Sequence, residues 1–224
     1  MKLHTLFTGL ALTTASMLSN GQQLEISVTN LTQGIHFTPI LIGAHNDATH
    51  LYAVGEQASG ALQAMAEGGD ISGLSAMLAT ANADVVENPA AGLLAPTMTT
   101  TTMLDTGDGN RYLSLVAMML PTNDGFIGVD SWMIPSEAGS YSFTINAYDA
   151  GTEANDELAG SMPNPPFITF GAGGTGVETA VSNAKVHIHP GNIGDSDAAG
   201  GISDLDSSSH RWLNPVATIT IVVK

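Results

Sequence analysis

Four carboxylates, Asp149, Glu153, Asp156 and Glu157, fall within the nine residues DAGTEANDE. A second acidic stretch, LPTNDGFIGVDSW (120–132), carries Asp124 and Asp130. Asp149 and Glu153 are four apart, and Gly151 between them permits a tight turn that would point both carboxylates inward. If Asp124 met them, three carboxylates with backbone carbonyls and waters would suit calcium, which takes roughly six to eight oxygen ligands. The same residues fit two polar turns whose acids face water. In either case Asp156 and Glu157 are expected at the solvent. Paired carboxylates also hydrolyse glycosides, but two tryptophans and 5% aromatics offer little for a sugar cleft beside Asp124.

A second set of ligating side chains is imidazole. His187 and His189 in KVHIHPG alternate, so on a strand they share a face, and His210 in SSHRW could return to them. Such a group would bind zinc or copper. The alternative is a solvent-facing or hydrogen-bonded pair bracketing a buried Ile188. DTGDGN (105–110) lacks the spacing of an EF-hand loop and reads as a hairpin turn. GAGGTG (171–176) lacks the lysine of a phosphate-binding loop. No Gly-x-Ser-x-Gly occurs, and with no cysteine in the chain a thiol nucleophile, a thiolate metal site and a disulfide framework are excluded.

These loops need strands to hold them. SYSFTINA (140–147) alternates before the first, and RYLSLVAMML (111–120) is a nearly continuous apolar run before the second, as in a strand buried on both faces. LEISVTN (24–30), TMTTTTML (97–104) and the closing NPVATITIVVK also read as strands. HFTPILIG (36–43) is broken by Pro39, which suits an edge or a loop entry. From Leu51 to Thr80 the apolar spacing becomes helical. GGD interrupts it, which predicts two short helices with Asp70 capping the second. The expectation is a single all-β domain, an antiparallel β-sandwich with a short helical insertion near its N-terminus.

The formal net charge is −16, from 5 basic and 21 acidic residues. Such a field repels nucleic acid and anionic lipid and attracts cations. Residues 1–21 combine Lys2, an apolar run and small residues at Ser19 and Gly21, the pattern of a cleaved signal peptide. The mature domain would then be 22–224, secreted or periplasmic. No segment in it is apolar enough to span a bilayer.

LPTNDGFIGVDSW followed by YSFTINAYDAGTEANDE resembles the spondin N-terminal domain family. TPILIGAHND, GALQAMAEGGDISGL and NPVATITIV support the resemblance, which extends over roughly 24–224. It implies a C2-like β-sandwich with a calcium ion at one end. It also implies a role without catalysis, in adhesion or in contact with an extracellular protein or polysaccharide. Carried over by position, the calcium ligands are Asp124, Asp149 and Glu153. Glu153 is a departure, a longer arm than the aspartate expected for the last ligand, and the thrombospondin-type repeats of the animal matrix proteins are absent. The reading from a different class is a periplasmic copper- or zinc-binding protein built on His187, His189 and His210.

Overall fold

The computed structural model describes residues 21–162, 181–197 and 200–224. Residues 1–20, most of the stretch 1–21 expected to be a signal peptide, and the glycine-rich 171–176 lie outside these. Among the described residues there are ten strands and two helices. In chain order they are β1 Gln23–Asn30, β2 His36–Phe37, β3 Leu41–His45, α1 Gly60–Gly68, α2 Ser72–Thr80, β4 Asp84–Glu87, β5 Thr99–Asp105, β6 Tyr112–Leu120, β7 Gly125–Met133, β8 Gly139–Asp149, β9 His187–Ile188 and β10 Ala217–Val223. Every strand pairing is antiparallel. The order is β4-β3-β6-β7-β8-β10-β1-β5, with β2 beside β6 and β9 beside β8. The sheet curls until it is nearly closed. The Asp84 carboxylate of β4 accepts the Asn110 amide at 2.8 Å and the Gly107 N–H, both from the turn after β5.

The alternation in the sequence becomes a two-sided sheet. Leu24, Ile26 and Val28 of β1 face inward opposite Val223, Ile221 and Ile219 of β10. Each such buried side chain contributes about 1.5–3 kcal/mol. On the outer face, hydroxyls pair across strands, Ser27 with Thr101 at 2.8 Å and Thr29 with Thr99 at 2.7 Å. That pairing accounts for the run of threonines in β5. The continuous apolar run of β6 has a different cause. Leu113, Leu115, Ala117 and Met119 enter the interior of the curled sheet. Val116, Met118 and Leu120 face outward beneath α1 and α2, against Leu62, Met65, Leu74 and Leu78.

Ser59 caps α1 by accepting the Leu62 N–H at 3.1 Å, and Gly69 ends it at φ 68°. At α2 the cap position is Ile71, one residue beyond the expected Asp70, although the Asp70 carboxylate accepts the Ser72 N–H at 2.9 Å. Leu51 and Val54 precede the helices rather than belonging to them.

Two expectations need correction. β3 is an interior strand between β4 and β6, because Pro39 lies ahead of it and removes no ladder donor. The stretch 120–132 is not one acidic loop. Only 121–124 form the turn, and Gly125 begins the long strand β7.

β8 pairs with its two long neighbours, β10 and β7, in succession on opposite edges. Gly139–Ile145 pair with β10, while Asn146–Asp149 pair with β7. A strand used in this way forms the corner that joins the two halves of the sheet.

Candidate metal centre

The turn 121–124 and the loop after β8 meet because of strand register. Gly125, the first residue of β7, pairs with Asp149, the last of β8. The two acidic segments therefore leave the sheet side by side. The Asp124 carbonyl accepts the Ala150 N–H at 3.2 Å, which extends the ladder one step into the loops. Thr122 Oγ1 fixes the turn internally, donating to the Met119 carbonyl at 2.6 Å and accepting the Gly125 N–H at 3.0 Å.

Asp124, Asp149 and Glu153 are all buried. Asp124 Oδ2 accepts three donors from the facing loop, the N–H of Thr152 at 2.7 Å, its hydroxyl at 3.2 Å, and the N–H of Glu153 at 3.1 Å. Asp124 Oδ1 is buried with no hydrogen-bond partner. Asp149 Oδ1 accepts the Gly151 N–H at 2.7 Å, and its Oδ2 accepts the Asn155 amide at 2.6 Å. Gly151 sits at φ 72°, and a Cβ there would lie 2.6 Å from the Lys185 nitrogen. Only glycine satisfies both conditions.

Burial, and then the charge of Asp149, push the Asp124 carboxyl up to about 6; the three hydrogen bonds on Oδ2 oppose the shift without cancelling it. Two carboxylates thus stand together in low dielectric, and one oxygen of Asp124 has no hydrogen-bond partner. As placed, no three His, Asp or Glu side chains among the described residues stand close enough to hold a metal ion. What exists is a pair of adjoining buried acidic loops. Their hard oxygens, and the orphaned Asp124 Oδ1 among them, suit a hard cation in chemistry and in charge.

The histidines divide. His187 lies opposite Asp149 in the β8–β9 pair, with its Nε2 3.6 Å from Asp149 Oδ2 and its Nδ1 donating to the Lys185 carbonyl at 2.7 Å. His189 is buried against Trp212, ring centroids 4.9 Å apart. Its Nδ1 accepts the Gly191 N–H at 2.9 Å, so the proton of the neutral ring is on Nε2. Nε2 is buried and unpartnered. Burial lowers the His189 pKa to about 4. His210 belongs to another neighbourhood. Its Nδ1 accepts the Asp206 N–H at 3.1 Å, and burial, countered by Asp206 and assisted by His36, holds its pKa below the usual value. Ile188, expected inside, is 49% exposed, since the two-residue strand β9 is an edge with its outer face open.

Glu157, expected at the solvent, is buried instead. Its carboxylate accepts the Ile193 N–H at 2.6 Å, the Gly194 N–H at 2.8 Å and the Ser203 hydroxyl at 2.7 Å. It ties Ile193, Gly194 and Ser203 to the acidic loop. Asp156 is partly buried, accepting the Leu158 N–H at 3.1 Å. Asn123 and Asn155, absent from the sequence reading, buttress these acids. Their only signal was position, immediately beside Asp124 and Asp156.

No helix among the described residues is long and apolar enough to cross a membrane. A search of curated proteins finds no match. The family model Spondin_N, an extracellular-type domain, matches residues 29–166, which include both acidic loops, the end of β1 and all of β2 through β8. That match spans 138 of 224 residues, more than half of the chain, and the chain belongs to the Spondin_N family.

Proposed function

We propose that this protein is a secreted calcium-binding module, without catalytic activity, that serves adhesion or contact with an extracellular partner. The observation that carries the reading is the Asp124 carboxylate. It is fully buried beside Asp149, is held on one oxygen by the loop that presents Glu153, and has no partner on the other. Asp124, Asp149 and Glu153 would hold the ion, whose charge would relieve the repulsion between the buried acids and bind the two loops together. In a chain with no disulfide, such a clamp adds stability where the loops leave the sheet. We take the curled antiparallel sheet as this chain's form of the C2-like sandwich that the resemblance implies.

The imidazole reading has less support, because His210 keeps different neighbours from His187 and His189, and the neutral His189 ring presents an N–H rather than a lone pair. The test is thermal unfolding of the mature protein with calcium and with EDTA. Saturating calcium at about a hundred times its Kd should add about 2.7 kcal/mol. Identical melting curves under both conditions would sink the proposal.

A further inference from the structure

Past Gly128 and Asn146 the pairing of β7 with β8 stops, while Gly139–Ile145 of β8 stay paired with β10. The two strands diverge around a cleft of about 440 Å³. Trp132 and Phe143 line it, half-buried and in contact with each other, with ring centroids 5.3 Å apart and planes inclined by 33°. His50, Thr144 and Asn146 line the same cleft and are exposed.

A β-bulge shapes its floor. Asp130 and Ser131 both lie across from Ser114, between the pairs Leu113–Trp132 and Leu115–Val129. Ser131 is held at φ 55°, its N–H donating to Ser114 Oγ at 2.8 Å. Backbone in this region persists only when its surroundings enforce it, and such sites concentrate where ligands bind. Asp130 accepts His50 Nδ1–H at 2.7 Å, the Leu51 N–H at 2.7 Å and the Ser131 hydroxyl at 3.0 Å. The imidazole is thereby oriented with Nε2 as its remaining nitrogen.

We propose that this cleft binds a neutral saccharide. The C–H faces of a pyranose are attracted to the negative faces of aromatic rings, here Trp132 and Phe143. Its hydroxyls both donate and accept, and they meet the Asn146 amide, the Thr144 hydroxyl and His50 Nε2, polar groups at the edge of an aromatic-lined cleft. No Lys or Arg is among the described residues that line it, and the net charge of −16 disfavours an acidic glycan.

The site is built for binding rather than hydrolysis. Among the described residues Asp130 is its single carboxylate, and it is committed to donors from His50, Leu51, Ser131 and Ser114, whereas glycoside cleavage requires two carboxylates. Ser131 Oγ and Asp130 both approach the same nitrogen, His50 Nδ1, so no serine–histidine relay exists either. The cleft uses none of the three acids of the calcium proposal, and the two stand or fall separately.

The test is calorimetric and fluorescence titration of the mature protein with cellopentaose, xylopentaose and chitopentaose. At least one should bind and alter tryptophan emission. Trp132→Ala should weaken binding roughly tenfold or more, and Trp212→Phe should leave it unchanged. Because Trp132 also packs on the core, Thr144→Ala and Asn146→Ala supply surface variants. Each should weaken binding about threefold with an unchanged melting temperature. EDTA should not affect it. The proposal is overturned if no pentasaccharide binds up to about 10 mM, or if both surface variants bind like the parent. Binding confined to a heparin fragment or to an extended peptide also overturns it.

Discussion

Asp124 Oδ2 accepts the backbone N–H of Glu153 at 3.1 Å, so the first acid of the candidate centre orders the loop that carries the third. The loops are coupled by hydrogen bonds alone. Removing either acid should therefore affect both structure and binding, and the two effects can be separated.

Asp149→Asn keeps the size of the side chain and an acceptor for the Gly151 N–H while removing charge. We expect it to abolish most of the stabilisation by calcium, yet to leave the melting temperature in EDTA the same or higher, since repulsion with Asp124 is relieved. Differential scanning calorimetry of both proteins with and without calcium measures this. A variant that still gains the full increment shows that Asp149 is not a ligand.

The raised pKa of Asp124 sets a pH dependence for the protein in EDTA. The folded group titrates near 6 and the unfolded one near 3.8. Between those values the folded state binds more protons, so stability falls as pH rises through that window. The cost is fully present above about 6 and absent below the unfolded value; every tenfold gain in proton affinity on folding is worth about 1.4 kcal/mol. Asp124→Asn should flatten this slope, as read from urea midpoints between pH 4 and 7. Saturating calcium should reverse its sign in the parent protein, because binding requires the carboxylate.

Gly151→Ala should destabilise the protein by about 2 kcal/mol or more, since the position combines a positive φ with backbone 2.6 Å from the added Cβ. Gly160→Ala is the comparison, because nothing lies within 4 Å of a Cβ at that site. Equal melting temperatures for the two variants would remove the argument for a conformationally required glycine.

Glu157→Ala removes a buried acceptor that satisfies two backbone N–H groups and a hydroxyl. The expected loss is about 3 kcal/mol, seen as a lower urea midpoint. Amide exchange should quicken at Ile193 and Gly194 more than in β1 or β10. Uniform acceleration over the whole chain would contradict a local tether.

Much of the sheet was legible because periodicity states which face is buried. Leu24, Ile26 and Val28 alternate because only one face of β1 is covered, and β6 runs apolar because both of its faces are. β7 was not legible because Gly125, Gly128, Asp130 and Ser131 look like loop residues. Their reasons are tertiary: a Cβ at Gly128 would lie 2.6 Å from the Tyr52 hydroxyl, and the bulge places Asp130 and Ser131 opposite one residue. β4 was equally hidden, because four residues at a seam carry too little pattern to register.

By itself the sequence determined most of the long strands, the two short helices, the acidic field and the family, because these rest on local spacing and on motifs read in order. Only the tertiary structure decided which acids share an environment. The Gly125–Asp149 register sets Asp124 beside the second loop. Glu157 is turned inward to three donors, and His210 is kept with His36 and Asp206. Asp156 and Glu157 are adjacent carboxylates that differ in burial, because the segments packed against each, not their spacing along the chain, determine what faces them.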